Sequence, residues 1–296
     1  MQNPLLPPSR RSKRPWLASW ACMAGGALLV AGCAGAPGTP PPPPAAPWPD
    51  RLQSLLPADV LLMGEQHDAP DHQRLQREAV QWLAARGQLA AVVMEMAERG
   101  RSTAGLPRDA TPDQARAALQ WNEAAWPWEA YGPSVMAAVA AGVPVLGGNL
   151  PRSDLRAAMA DAAWDRHLSP AALQRQHEAL REGHCGLLPP AQIPPMARMQ
   201  IARDASLARV AQQALRPGQT VLLLAGGGHV LRTLGVPTHW SADIRSKVAL
   251  AQAGQVPAAI KMEDTDAVIE TPAIEFKDHC AALRQQWGQG KAGGSL

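Results

Sequence analysis

The chain has 296 residues, 46% of them hydrophobic and 18% charged, with a formal net charge of +3. That length suits one α/β domain or two small ones with a sizeable core, and the charge gives nucleic acid no electrostatic footprint. Ten Trp stand against one Tyr and one Phe, so any role that needs a phenol falls to Tyr131.

The first element is a signal segment. Arg10, Arg11, Lys13 and Arg14 form a basic stretch, followed by the apolar run WLASWACMAGGALLV, which has the length of a signal peptide and is short for a membrane span. It ends in Val30-Ala31-Gly32-Cys33, the pattern of a bacterial lipobox, where small residues admit the signal peptidase and the cysteine is lipidated. Residues 1–32 are therefore expected to leave as a lipoprotein signal peptide. They carry four basic and no acidic residues, so the mature chain has a net charge of −1. Residues 33–49, AGAPGTPPPPPAAPWP behind the cysteine, are too rich in proline to form a core and read as a tether in extended geometry. The folded domain is expected over 50–296.

Four apolar runs have the length and flanks of buried parallel strands: Val60–Met63, Leu89–Met94, Val143–Leu146 and Val221–Ala225. Lys247–Ala251 and Ala267–Ile269 read as a final strand pair. Between the first two runs, Leu75, Ala79, Trp82 and Leu83 share a helical stripe, with Asp68 or Asp71 as cap and Gly87 as stop. Ser134–Ala141 reads as helix, Ser153 as the cap of a helix reaching Trp164, and Ser169-Pro170 as a helix start. A Met-containing helix is expected from about Pro195 to Leu215. Strands alternating with helices imply a largely parallel sheet with helices on both faces.

Ligands of such sheets bind outside the carboxyl ends of the strands. There the sequence places GEQHD, then Glu95, then GGN with Asn149, then GGGH with His229. Glu65 and His67 are two apart and point the same way in extended chain. Glu65, His67, Glu95 and His229 could bind Zn²⁺ or Mn²⁺, carry out acid–base chemistry, or line a cofactor pocket. The glycines 226–228 lack the rest of a phosphate-binding loop. His72, one turn into its helix, reads as a surface residue, and Met196 and Met199 as core. Trp121–Gly132, WNEAAWPWEAYG, reads either as core or as a wall for a flat aromatic ligand, with Tyr131 as an iron ligand. Cys185 and Cys280 are the even pair left after export and are expected to form a disulfide. No Cys-x-x-Cys-His occurs, which excludes covalent c-type haem.

The ordered set GEQHD, VVMEM, WPWEAYGP, VPVLGGNLPR, HCG, MQIARDASLA and LLLAGGGHVLRTLGVP resembles the ChaN family of iron-regulated haem-binding lipoproteins, related to the Tiki and TraB proteins and erythromycin esterases. The resemblance covers nearly the whole chain after Asp50. It implies non-covalent haem binding in haem and iron acquisition, by Tyr131 with His67, His72 and His229. It also implies a homodimer with haem between subunits, a haem receptor or transporter as partner, and attachment to the bacterial outer membrane through Cys33. Ala34 after that cysteine fits the outer-membrane sorting pattern. In the wider superfamily Glu65, His67, Glu95 and His229 match a metal-dependent hydrolytic centre, the competing reading. The family's Asp-Asn-Pro is Asp68-Ala69-Pro70 here, and its histidine pair is His72-Gln73.

Overall fold

The computed structural model describes residues 47–255, 261–275 and 277–292. The signal segment, Cys33 and most of the tether lie outside the described residues. Among the described residues no helix is long and apolar enough to cross a membrane.

All six expected strands form: β1 (Val60–Glu65), β2 (Leu89–Glu98), β3 (Val145–Asn149), β4 (Thr220–Gly226), β5 (Ser246–Ala253) and β6 (Ala267–Thr271). They make one sheet in the order β3-β2-β4-β1-β5-β6, with every pairing parallel. The third strand starts two residues later than its apolar run suggests, because Val143 and Pro144 turn the chain out of helix α4 (Trp128–Ala141). The last strand pair is itself parallel.

Alternate residues of each strand feed opposite layers. Leu61 and Met63 of β1, with Met94 and Leu224, pack on the face covered by α1 (Trp48–Ser54), α2 (Pro70–Ala85), α3 (Pro112–Leu119) and α4. Val60 and Leu62, with Val93 and Leu223, meet Leu207 and Ala211 of α7 (Ile193–Gln213) on the other face. Each such fully buried aliphatic side chain contributes roughly 1.5–3 kcal/mol. Both layers are therefore closed, and the polar edge at the strands' carboxyl ends is the remaining place for chemistry.

Several helix ends differ from expectation. Helix α2 is capped by neither Asp68 nor Asp71: Ala69 occupies the cap with no side-chain bond, and Pro70, whose missing N–H costs nothing there, starts the helix. Gly87 does terminate it, at φ +66°, a conformation glycine adopts freely. The Ser153–Trp164 segment is not one helix. It divides into a 3-10 turn, α5 (Leu155–Ala160) and a second 3-10 turn started by Asp161, whose carboxylate accepts the Ala163 N–H, while Ser153 bonds only Asp154. Ser169 caps α6 (Pro170–Gly183) as expected, accepting from the Ala172 N–H. The chain continues from β4 into a single turn, α8 (Gly227–Val230), and ends in α9 (His279–Ala292). A disulfide joins Cys185, just after α6, to Cys280 in α9.

Candidate functional site

Strand β4 lies between β1 and β2, so the ends of the three central strands deliver their polar residues side by side. Glu65 is the last residue of β1 and pairs in register with Gly226 of β4, while Glu95 follows the Met94–Leu224 pair of β2 and β4. Both carboxylates are buried, each residue 3% exposed. Burying a carboxylate is costly unless its oxygens are satisfied, and here they are.

Glu65 accepts from four groups: the Tyr131 hydroxyl at 2.7 Å, His67 Nδ1 at 2.7 Å, Gln73 Nε2 at 3.0 Å and Gln76 Nε2 at 2.7 Å. Glu95 Oε2 accepts the Gly226 N–H at 2.8 Å, and its Oε1 lies 3.4 Å from His229 Nε2. His229 Nδ1 is 2.6 Å from Asp204 of α7. His67 Nε2 stands 3.9 Å from Glu95 Oε2. The result is a continuous chain: Tyr131, Glu65, His67, Glu95, His229, Asp204. A methyl group on Gly226 would lie 2.8 Å from His67 Nε2, so glycine at that position makes room for the imidazole.

The charges follow from these contacts. Burial disfavours the ionised form of Glu95, yet His229 and His67 beside it hold its pKa at about 2. Burial pushes Asp204 up to about 6 against the pull of His229. Burial alone would lower His229, but Glu95 and Asp204 outweigh it and raise its pKa well above the ordinary value. His67 is also raised, burial being overcome by its Glu65 hydrogen bond and by the charges of Glu95 and Glu65.

The expected quartet Glu65, His67, Glu95 and His229 is thus brought together, its imidazole nitrogens facing its carboxylate oxygens. Among the described residues no group of three or more His, Cys, Asp and Glu is disposed to hold a metal ion. In this arrangement Glu65 spends its oxygens on four donors and Glu95 spends one on a backbone N–H. Asn149 joins the cluster through its Nδ2, which donates to the Glu95 carbonyl at 2.8 Å.

Two other residues lie otherwise than expected. His72 is fully buried, its Nδ1 accepting the Gln66 N–H and its Nε2 3.0 Å from Thr271 Oγ1, so it is neither a surface group nor presented to a ligand. Tyr131 is 1% exposed and spends its hydroxyl on Glu65. Burial, then the Glu65 charge, push its pKa above the usual phenol range. Trp128 shares that burial, while Trp126 is half-buried with its ring 4.8 Å from that of His67. Trp128 and Tyr131 thus belong to the core, as the first reading of the segment has it, while Trp126 packs against His67. Asp204 and Gln76 were not singled out in the sequence, and Gln73 only as the second member of the family's histidine pair.

Beside the cluster, between α2 and the start of α4, is an open cleft of about 420 Å³. His67 lines it, with Pro70, Pro127, Ala130 and Pro133 as apolar walls and Arg74 and Arg77 among its polar residues. The His67 side chain is 40% exposed. Arg74 is engaged by Asp71 and Glu78, whereas Arg77 Nε is buried without a partner. An imidazole between proline walls, with a guanidinium in reserve, fits a flat apolar ligand that carries carboxylates.

Fold and site together define an α/β domain with a carboxylate–imidazole chain across the ends of its central parallel strands. The chain belongs to the family described as haem-binding uptake, Tiki superfamily, ChaN, which matches residues 51–239. Among solved structures it is similar to ChaN of Campylobacter jejuni, reported with cofacially bound heme, at 22% identity over 74% of this chain and 89% of that one, with a TM-score of 0.59. The type III effector HopBA1 (16% identity, 73% and 88% covered) and RRSP, a MARTX toxin effector domain from Vibrio vulnificus CMCP6 (13%, 70% and 36%), each reach a TM-score of 0.42, too loose a likeness to bear on function. No curated protein matches the sequence.

Proposed function

We propose that this chain is a lipid-anchored envelope protein that binds haem non-covalently in the α2–α4 cleft during haem and iron acquisition. The observation that carries the reading is the half-exposed His67 at the cleft, with apolar walls and the unpartnered Arg77 around it. The family supports it.

In this reading His67 would turn its Nε2 from Glu95 to hold the iron, and Glu65 on its Nδ1 orients the ring as a carboxylate does behind a ligating histidine. Arg77 takes a propionate. Bound haem would supply the iron; the chain's own residues hold it, orient the imidazole and shield one face. Tyr131 acts through Glu65. A second copy of the chain, and a receptor or transporter that would accept the cargo, belong to the same reading. The sequence Val30-Ala31-Gly32-Cys33-Ala34 supports lipidation at Cys33 and an outer-membrane address, and the disulfide suits an oxidising compartment.

The test is a haem titration of the purified protein followed at the Soret band, with a metal assay on the untreated sample. A saturable shift at one haem per chain without stoichiometric metal is expected. Absence of a specific shift overturns the reading. Lipid labelling lost in Cys33→Ala checks the anchor.

A further inference from the structure

A second cleft of about 440 Å³ opens at the carboxyl ends of β2 and β3, across the Trp126–Pro127 segment from the first. Arg101, Arg152 and Arg203 all line it. They come from three separate places: the turn after β2, the 3-10 turn after β3, and α7. Among the described residues none of the three guanidinium groups is in an ion pair, although other arginines nearby are: Arg99 with Asp154, Arg198 with Asp165.

Neither carboxylate of the lining is in an ion pair with them, and three guanidinium groups outnumber the two carboxylates. Glu95 is occupied by His229 and the Gly226 N–H, and Glu98 Oε1 accepts the Arg152 backbone N–H. Two polar atoms of the lining are buried with no partner: Arg203 Nε, a donor, and Asn149 Oδ1, an acceptor. The orientation of the Asn149 amide is fixed, because its nitrogen donates to the Glu95 carbonyl, which can only accept. A buried donor and acceptor left open cost stability unless something completes them. The remaining walls include the half-buried Trp126 and Leu155, which favour a carbon skeleton over a bare inorganic ion.

The geometry points to a binding site for a small organic polycarboxylate that also carries a hydroxyl or amine hydrogen. Its carboxylates meet Arg101, Arg152 and Arg203, whose planar forks match carboxylate oxygens two at a time. Its O–H or N–H donates to Asn149 Oδ1. The site is separate from the haem cleft and needs no haem, so it stands or falls independently of that reading.

Calorimetry on the purified haem-free protein tests it, with three probes: citrate, its hydroxyl-free analogue tricarballylate, and inorganic pyrophosphate. Citrate is expected to bind saturably at one per chain and more tightly than either of the others. The double variant Arg101→Gln/Arg152→Gln should weaken it by about tenfold or more, as loss of two charged hydrogen-bonding groups implies. Arg86→Gln, on Trp82 and away from the cleft, should leave it unchanged. Circular dichroism and Tm establish that the double variant is folded. No saturable citrate binding, or unchanged affinity in the folded double variant, overturns the site. Equal binding of tricarballylate overturns the donor to Asn149, and tighter binding of pyrophosphate overturns the assignment to carboxylates.

Discussion

His229 presents its Nδ1 to Asp204 at 2.6 Å, a histidine one turn beyond a strand held by an aspartate from the helix layer behind it. Because Glu95 approaches Nε2 from the other side, the imidazole sits between two carboxylates in a place where burial alone would strip its proton.

Glu95→Gln removes one of those charges. The His229 pKa should then fall, since burial is left opposed by Asp204 alone, and NMR of the ring protons against pH reads this directly. The stability difference between the native chain and the variant has a defined pH course. Glu95 is held at about 2, below its ordinary 4.5, so its contribution is complete above pH 4.5 and lost as pH falls through about 2. His229 is raised, so its share is complete below 6.5 and lost as pH rises through its folded value. Denaturant unfolding should show the gap widest between those limits; a gap that grows toward pH 2 would contradict the assignment.

Exchanging His67 and Tyr131 separates ligand from support. His67→Ala should abolish the haem Soret shift. Tyr131→Phe should keep it, at a cost of about 1–3 kcal/mol in unfolding free energy from the donor lost to Glu65. The opposite pattern of spectra would make the phenolate the ligand.

Gly226→Ala puts a methyl 2.8 Å from His67 Nε2 on an otherwise ordinary backbone, φ −57°. The imidazole must move. We expect a changed His67 titration and a weakened haem spectrum, with a stability loss of about 1–3 kcal/mol. A normal spectrum would show that the ring position in this structure is not the one that binds.

Cys185→Ser opens a disulfide whose cysteines are 95 residues apart in sequence. Equilibrium unfolding should lose about 2–5 kcal/mol, and reductant should lower the native chain by the same amount while leaving the variant unchanged. A variant as stable as the oxidised native chain would refute this.

The strands were legible because a parallel strand buried on both faces is a short apolar run, as β1, β2 and β4 are, and the less buried edge strand β6 keeps Ala267–Ile269 apolar. The convergence of Glu65, His67, Glu95 and His229 followed from the rule that such strands end at one edge. What escaped was supplied by helices. Asp204 sits in α7 with no periodic signal of its own, and nothing in the residue type of Gln73 and Gln76 marks them as buried. The one available sign was that these two glutamines, three apart on α2, border the stripe that includes buried Ala79 and Leu83. The fate of Tyr131 and His72 was equally hidden, since a strand-end rule says nothing about which helical groups turn inward to serve a carboxylate.

Strands β1 and β2 never touch; each reaches the other only through β4. A chain that stops short of Thr220 lacks the strand that sets Glu65 and Glu95 side by side. That strand is followed at once by His229, the cation that neutralises one of them. The strand that joins the two carboxylates and the histidine between Glu95 and Asp204 therefore come as one continuous piece of sequence.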